Sequence, residues 1–303
     1  MKAFLYRLVY QFAWLHSLLP LRLLYILSDV LFFFIYYIIS YRKQVVLTNL
    51  KNSFPEKSEK EINWIARKFY HHLSDIIVEI IKLIHFSEKE YKKHIHFRNP
   101  EVLDKYFYEG KTVSAVVAHY GNWEWLTGLV CQNPFEVVSV YKPLNNKNFD
   151  KLLGRLRTKF GTQLVPMEKV LHTVVNRRQM KKKSLYIFIS DQTPIQLSIK
   201  YWTTFLNQDT PVFLGIEKIA RKEGHAVVFL SMNKLKRGYY EVEIHPLVDN
   251  ALTTDPYEIT EMHVRKLEEL INKHPEYWLW SHRRWKRKRN NVILEPFKKG
   301  VTS

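Results

Sequence analysis

The chain predicts an α/β fold: a mostly parallel mixed sheet flanked by helices, with an apolar N-terminal helical membrane anchor in front of it. Three observations lead there. Short β-branched runs alternate with amphipathic helical patterns along most of the sequence. No internal repeat or low-complexity linker interrupts that alternation, so residues 45–303 read as one domain. Residues 1–44 stand apart because up to Tyr41 they are overwhelmingly apolar.

The N-terminal segment comes first. Nineteen residues lie between Arg22 and Arg42, and only Asp29 breaks their apolar run. A spanning helix needs about 20 apolar residues, and a carboxylate at mid-bilayer costs about 2.5–3.5 kcal/mol on insertion scales. Three readings stay open: a single tilted anchor; a helix lying in the interface with Arg7, Arg22, Arg42 and Lys43 at the headgroups; and a buried hairpin of the domain. A cleaved signal peptide is disfavoured, because bulky Tyr and Phe stand where a small-residue cleavage site would be needed.

The remaining elements follow in order. Glu59–Leu83 is a helix, with Ile62, Ile65, Ala66, Phe69, Leu73, Ile76 and Ile77 at three- and four-residue steps and Ser58 and Glu61 spaced as a capping box. Thr112–Ala118 and Glu136–Tyr141 read as strands, Asn148–Phe160 as a helix stopped by Gly161, and Gln163–Val165 as a short strand. Lys169–Met180 is helical, Leu185–Ile189 a strand, and Phe213–Arg221 a helix ending near Gly224. Ala226–Leu230 and Tyr240–Ile244 are strands, and Glu258–Lys273 is a final amphipathic helix.

Composition narrows the function. The net charge of +18 seeks an acidic partner: nucleic acid, an anionic membrane face, a phosphorylated substrate or an acidic carrier protein. Cys131 is the only cysteine, which excludes an intrachain disulfide and a thiolate zinc cluster. The nine glycines form neither dinucleotide nor P-loop fingerprints. The pairs His71-His72 and His94/His96 lack further ligands in a metal pattern and read as surface or core histidines, so no metal is expected.

In Ala115–Trp125 (AVVAHYGNWEW), His119 falls just past a buried strand, with a helix starting at about Asn122. Open α/β sheets bind ligands at that rim. Glu124 follows five residues later. On a regular helix five steps turn through about 500°, leaving the side chains about 140° apart. They meet only if His119 is on the loop and Glu124 in the first helical turn, an entry that Gly121 permits. A carboxylate on one imidazole nitrogen would free the other as a base. An isolated H-x4-E would ordinarily be a chance pairing.

The surroundings make it more than chance. After H-x4-E come Tyr141-Lys142-Pro143, Gly154-Arg155-Leu156-Arg157-Thr158-Lys159-Phe160-Gly161, Ser190-Asp191-Gln192, Thr210-Pro211, and the run from His274 to Lys286 containing W-L-W-S-H-R-R-W-K. This ordered set resembles the bacterial lipid A biosynthesis late acyltransferases of the lysophospholipid acyltransferase superfamily, over nearly the whole chain. Lys142 stands where that family commonly has Arg, and Val212-Phe213 where it commonly has Gly. The resemblance implies a glycerolipid acyltransferase-like sheet and transfer of an acyl chain from an acyl carrier protein thioester to a hydroxyl of a lipid A precursor. It also implies the inner membrane, with the catalytic domain on the cytoplasmic side. His119 would be the general base, oriented by Glu124; no cofactor beyond the carrier thioester is implied. Arg155 or Arg157 would stabilise the oxyanion or hold a phosphate, with a solvated helix face as the plain alternative. Asp191 would orient one of these arginines or position the acceptor, or merely cap a turn. Asn122 would shape the entrance to the substrate site. Cys131 reads as packing rather than as a nucleophile.

Two alternatives accompany this expectation. One keeps the chemistry with another acceptor, a lysophospholipid, aminolipid or glycolipid. The other is a non-catalytic, membrane-tethered nucleic-acid-binding protein, suggested by His282–Arg289, which carries six Lys/Arg in eight residues near Trp278, Trp280 and Trp285. An anionic headgroup, a lipid A phosphate or an acidic carrier would use the same residues. The leading expectation is therefore acyl carrier protein, a lipid A precursor and membrane as partners, without nucleic acid. A hydrolase is disfavoured for want of G-x-S-x-G.

Overall fold

The alternating runs assemble into a seven-stranded sheet with a hydrophobic core on each face. The computed structural model describes residues 2–289. Helices α1 (Lys2–Ser17), α2 (Leu21–Phe33, continued by a π-helical turn Phe34–Ile38), α3 (Lys43–Ser53), α4 (Glu59–Leu83) and α5 (Glu88–His94) precede strand β1 (Ile95–Phe97) and helix α6 (Glu101–Tyr108). Then come β2 (Val113–Val117), β3 (Glu136–Tyr141), α7 (Lys147–Arg157), β4 (Gln163–Pro166), α8 (Val170–Gln179) and β5 (Ser184–Ile189). A small antiparallel hairpin, β6 (Trp202–Phe205) with β7 (Gln208–Pro211), leads to α9 (Gly215–Glu223), β8 (Ala226–Lys236), β9 (Tyr239–Val248) and α10 (Glu258–Lys273).

The sheet order is β1-β9-β8-β2-β5-β3-β4. Every pairing is parallel except β8 with β9, so the expected mostly parallel mixed sheet is present. Side-chain alternation divides the core. Val116, Val138, Phe188 and Phe229 face a cluster built with α3, α4, α9 and α10. Ala115, Val137, Ile187 and Val228 face the opposite cluster with α5 and α6. Burying both faces explains why these strands read as unbroken apolar runs.

Most expected elements stand within two residues of their expected bounds, and the Ser58–Glu61 capping box forms as its spacing requires. Strands β8 and β9 run beyond Leu230 and Ile244 because they pair with each other antiparallel over their whole length, from Val227 opposite Val248 to Lys236 opposite Tyr239. The β6–β7 hairpin was not expected. Its two-residue turn, Leu206-Asn207, has positive φ at both residues. That is the tight-hairpin geometry which Asn accepts but Leu does not advertise. The helix expected after His119 is present but is 3-10, over Trp123–Gln132.

Helix α2 lies along α4. Leu24, Ser28, Phe32 and Tyr36, each four residues apart, are buried, while Ile26, Val30, Phe33, Ile38 and Ile39 present apolar side chains outward. The stretch Leu21–Ile38 is long and apolar enough to cross a bilayer by length and composition. Asp29, the interruption in the run, is partnered: Arg237, at the β8–β9 turn, donates to its Oδ1 at 2.5 Å. Arg237 also binds Asp75 of α4, and Ser28 donates to Asp75 at 2.8 Å. The charge is thus matched by the domain at the start of the outward apolar face.

Gly121 is the tightest point in the loop after β2. Its φ is +61°, and a Cβ there would come within 2.6 Å of the Met232 carbonyl oxygen on β8. Hydrogen-bonded strand backbone cannot yield as a flexible side chain would. Gly121→Ala is therefore expected to destabilise the fold by about 1–3 kcal/mol, read as a lower denaturation midpoint; an unchanged midpoint would contradict this packing.

Candidate active site

Register places the site. Strands β2 and β5 are parallel neighbours, with Val117 opposite Ile189. His119 and Asp191 each lie two residues beyond these positions, so both chains leave the sheet side by side at its carboxyl rim. The imidazole Nδ1–H donates to Asp191 Oδ1 at 2.7 Å, and the His119 backbone N–H donates to Asp191 Oδ2 at 3.0 Å. Trp278 Nε1–H donates to the same Oδ2 at 2.8 Å. Burial pushes the Asp191 carboxyl up, but the facing His119 ring and these three donors outweigh it and hold the group below the usual carboxylate range. An ionised carboxylate only accepts, so the proton sits on Nδ1 and Nε2 presents a lone pair. Gln192 lies against the ring, with its Nε2 3.1 Å from His119 Nε2 and 3.5 Å from Nδ1.

The expected partner of His119 is corrected. Glu124 does not orient the ring. It sits in the first turn of the 3-10 helix with its carboxylate turned to α7, where Arg157 Nε and Nη2 take its two oxygens at 2.8 and 2.5 Å. This fork-to-carboxylate geometry is bidentate, with side chains only 8% and 18% exposed. Of the two arginine candidates, Arg157 is thus the one beside the motif, and its charge is already matched. Arg155, one turn-step away, is exposed on the outer face of α7. Asp191 does not orient either arginine; it holds His119. Asn122 is also corrected. It is fully buried, caps the 3-10 helix through Oδ1 to the Trp125 N–H, and donates Nδ2–H to Glu79 at 2.7 Å, so it braces the loop from beneath instead of lining an entrance.

Cys131 closes that 3-10 helix half-buried. Burial pushes its thiol up to about 11, which suits packing and not nucleophilic attack. His72 is buried against the Gly121 carbonyl and His94 against that of Gly238. Among the described residues no three His, Cys, Asp or Glu side chains gather as metal ligands.

The tryptophan-rich segment completes the site. Tyr120 and Trp278 form an antiparallel bridge, flanked by Gly121 N–H to the Tyr277 carbonyl and Leu279 N–H to the His119 carbonyl, each 3.1 Å. Trp278, Trp280 and Trp285 are all buried. So is Arg284, whose Nη2 donates to the Pro211 carbonyl at 2.7 Å. Trp278 and Trp280 thus pack under the site, and Trp285 and Arg284 are withdrawn from the open basic and aromatic surface that His282–Arg289 suggests in sequence. Asn49 of α3 donates to the carbonyls of Trp280 and His282, and Arg42 to that of Ser281. Between this segment, the helix through Ile35 and Ile39, and α4 runs a groove of about 480 Å³. Ile35, Ile39, Leu73, Ile77 and Leu279 make its walls apolar, and Gln192 and His282 stand at its polar edge.

The arrangement can serve general-base chemistry: a carboxylate-oriented imidazole in contact with Gln192, which lines a greasy groove. The comparisons agree in kind. The family model described as bacterial lipid A biosynthesis acyltransferase matches residues 1–287. A "Lipid A biosynthesis acyltransferase" of Haemophilus influenzae is 22% identical over 236 residues, covering 77% of this chain and 72% of that protein. A "Lipid A biosynthesis palmitoleoyltransferase" of Escherichia coli is 22% identical over 246 residues, covering 81% and 79%. A "Lipid A biosynthesis acyltransferase 2" of Shigella flexneri is 18% identical, covering 80% and 77%.

The Glu124–Arg157 pair carries its own expectation. Glu124→Ala leaves a largely buried guanidinium unmatched and should cost about 3–5 kcal/mol of stability. Combining it with Arg157→Met should restore much of that loss, as read by chemical denaturation of the single and double variants. Additive losses would show that the two side chains do not act as a pair.

Proposed function

The chain belongs to the bacterial lipid A biosynthesis acyltransferase family, and from that premise we propose that it moves a fatty acyl chain from an acyl carrier protein thioester to a hydroxyl of a lipid A precursor. The observation that carries this reading is the carboxylate-held His119 in contact with Gln192, which lines the apolar groove. The acyl chain lies along Ile35, Leu73, Ile77 and Leu279, with its carbonyl beside Gln192 and His119. His119 Nε2 takes the acceptor hydroxyl proton as the oxygen attacks the thioester carbon. The tetrahedral intermediate collapses, the C–S bond breaks, and the imidazolium returns the proton to the leaving thiolate. Asp191 holds the tautomer and stabilises the imidazolium. Glu124 and Arg157 fix α7 against the catalytic loop, and Arg155 remains available to an acidic partner. The transfer calls for no cofactor beyond the donor thioester.

Residues 1–44 serve as the anchoring segment in this proposal. The outward face of α2, with Ile26, Val30, Phe33, Ile38 and Ile39, enters the interface of the inner membrane on its cytoplasmic side. Pairing of Asp29 with Arg237 favours a helix that lies against the domain over one that carries the carboxylate through the bilayer. Arg22 and Arg42 then stand at headgroup level; the side chain of Arg7 lies outside the described residues.

Mass spectrometry of the lipids from cells lacking the gene is expected to show lipid A short of one secondary acyl chain. Unchanged lipid A with an altered phospholipid or aminolipid would transfer the proposal to that acceptor. In purified protein, His119→Ala should lower kcat by about 10²–10⁴-fold. Asp191→Asn should approach about 10⁴-fold, because an amide can hold the wrong tautomer. Transfer that survives both changes would refute the mechanism.

A further inference from the structure

An acyl transfer needs a donor for the oxygen that becomes negative, and several backbone N–H groups near His119 are already engaged. The N–H groups of His119, Tyr120, Gly121, Ser190, Thr193 and Leu279 are each engaged, in order, by Asp191, Ala118, Tyr277, Val117, His282 and His119. Those N–H groups tie the loops together and are not aimed at the groove. Arg157 is committed to Glu124. Gln192 differs. It follows Asp191 directly, so the same strand end that fixes the base also fixes this amide. It lines the apolar groove, and its Nε2 lies 3.1 Å from His119 Nε2.

We propose that the side-chain amide of Gln192 is the oxyanion donor of the transfer, an assignment that rests on the acyl-transfer reading above. The amide nitrogen stands 3.1 Å from His119 Nε2 and 3.5 Å from Nδ1, so it lies over the face of the imidazole and leaves the in-plane lone pair of Nε2 open to the acceptor hydroxyl. The attacked carbonyl oxygen lies next to the attacking oxygen, hence within about 5 Å of His119 Nε2. An amide nitrogen already 3.1 Å from that ring atom reaches it by a small torsion of the Gln192 side chain. The hydrogen bond strengthens as charge develops on the oxygen and weakens again when the thiolate leaves, so it favours the transition state over bound thioester.

The test is steady-state kinetics of Gln192→Ala and Gln192→Glu with an acyl carrier thioester and a lipid A precursor, beside wild type and His119→Ala. Gln192→Ala should lower kcat by about 10²–10³-fold at every pH of the profile, with KM for both substrates within a few-fold of wild type. Gln192→Glu, which puts a carboxylate against the forming oxyanion, should be no better. Thermal midpoints report folding, and the affinity of a ketone analogue of the donor, with CH₂ in place of sulfur, should be unchanged. A kcat within about three-fold of wild type overturns the assignment, as does a loss confined to KM. A deficit that vanishes at alkaline pH also overturns it, since Gln192 would then act only through protonation of His119. If wild type itself transfers no acyl group, the acyl-transfer reading fails and takes this inference with it; if wild type transfers and Gln192→Ala matches it, only the inference fails.

Discussion

The structure turns on one carboxylate. Asp191 accepts from the His119 ring, the His119 backbone and the Trp278 indole. Two of these donors come from the end of β2 and the third from a segment about 90 residues beyond Asp191, which itself follows β5, so a single anion ties three separate pieces into one site. Its burial would be costly if any donor were missing. With all of them present the group stays ionised, the imidazole is held in one tautomer, and the loop cannot rotate without breaking several charge-assisted hydrogen bonds at once.

A pair of carboxylates on α4 links the site to the outer helix. Asp75 and Glu79 are one turn apart on α4 and both are buried. Asp75 takes Ser28 from α2, Lys234 from β8 and Arg237. Glu79 takes Tyr25 from α2, Asn122 from the catalytic loop and Tyr240 from β9. Desolvation raises the Glu79 carboxyl above its ordinary range, against the pull of Lys234. Docking of α2 and support of the His119 loop therefore share the same two carboxylates, and the groove exists only because α2 is held where it is.

Much of this was legible in the sequence. The strand runs, the capping box at Ser58 and the rim position of His119 all follow from local patterning, because strand and helix periodicities are local properties. The partner of His119 is not local. Spacing along one segment favoured Glu124, but the choice was decided by which strand lies beside β2, and strand order is set by packing of the whole chain. Had β5 been placed next to β2, the equal offset of His119 and Asp191 from their strand ends would have pointed to the pair. The same limit applies to Asn122 and Arg284. Each reads as polar and exposed in isolation, and each is buried against groups more than 40 residues away. Asp29 looked like a defect in an apolar run for the same reason: its counterion is Arg237.

The bridge between Tyr120 and Trp278 has a bearing on how the protein comes into being. Ribosomes deliver a polypeptide from its amino end, and domains begin to organise while synthesis continues. All nine described strands emerge before the tryptophan segment does, so the nascent scaffold can form while the third donor to Asp191 and one wall of the groove are still untranslated. A product released early, or clipped within the stretch between Lys273 and Trp278, would lack three buried tryptophans together with that donor. Completion of the rim thereby waits for a segment made after every described strand.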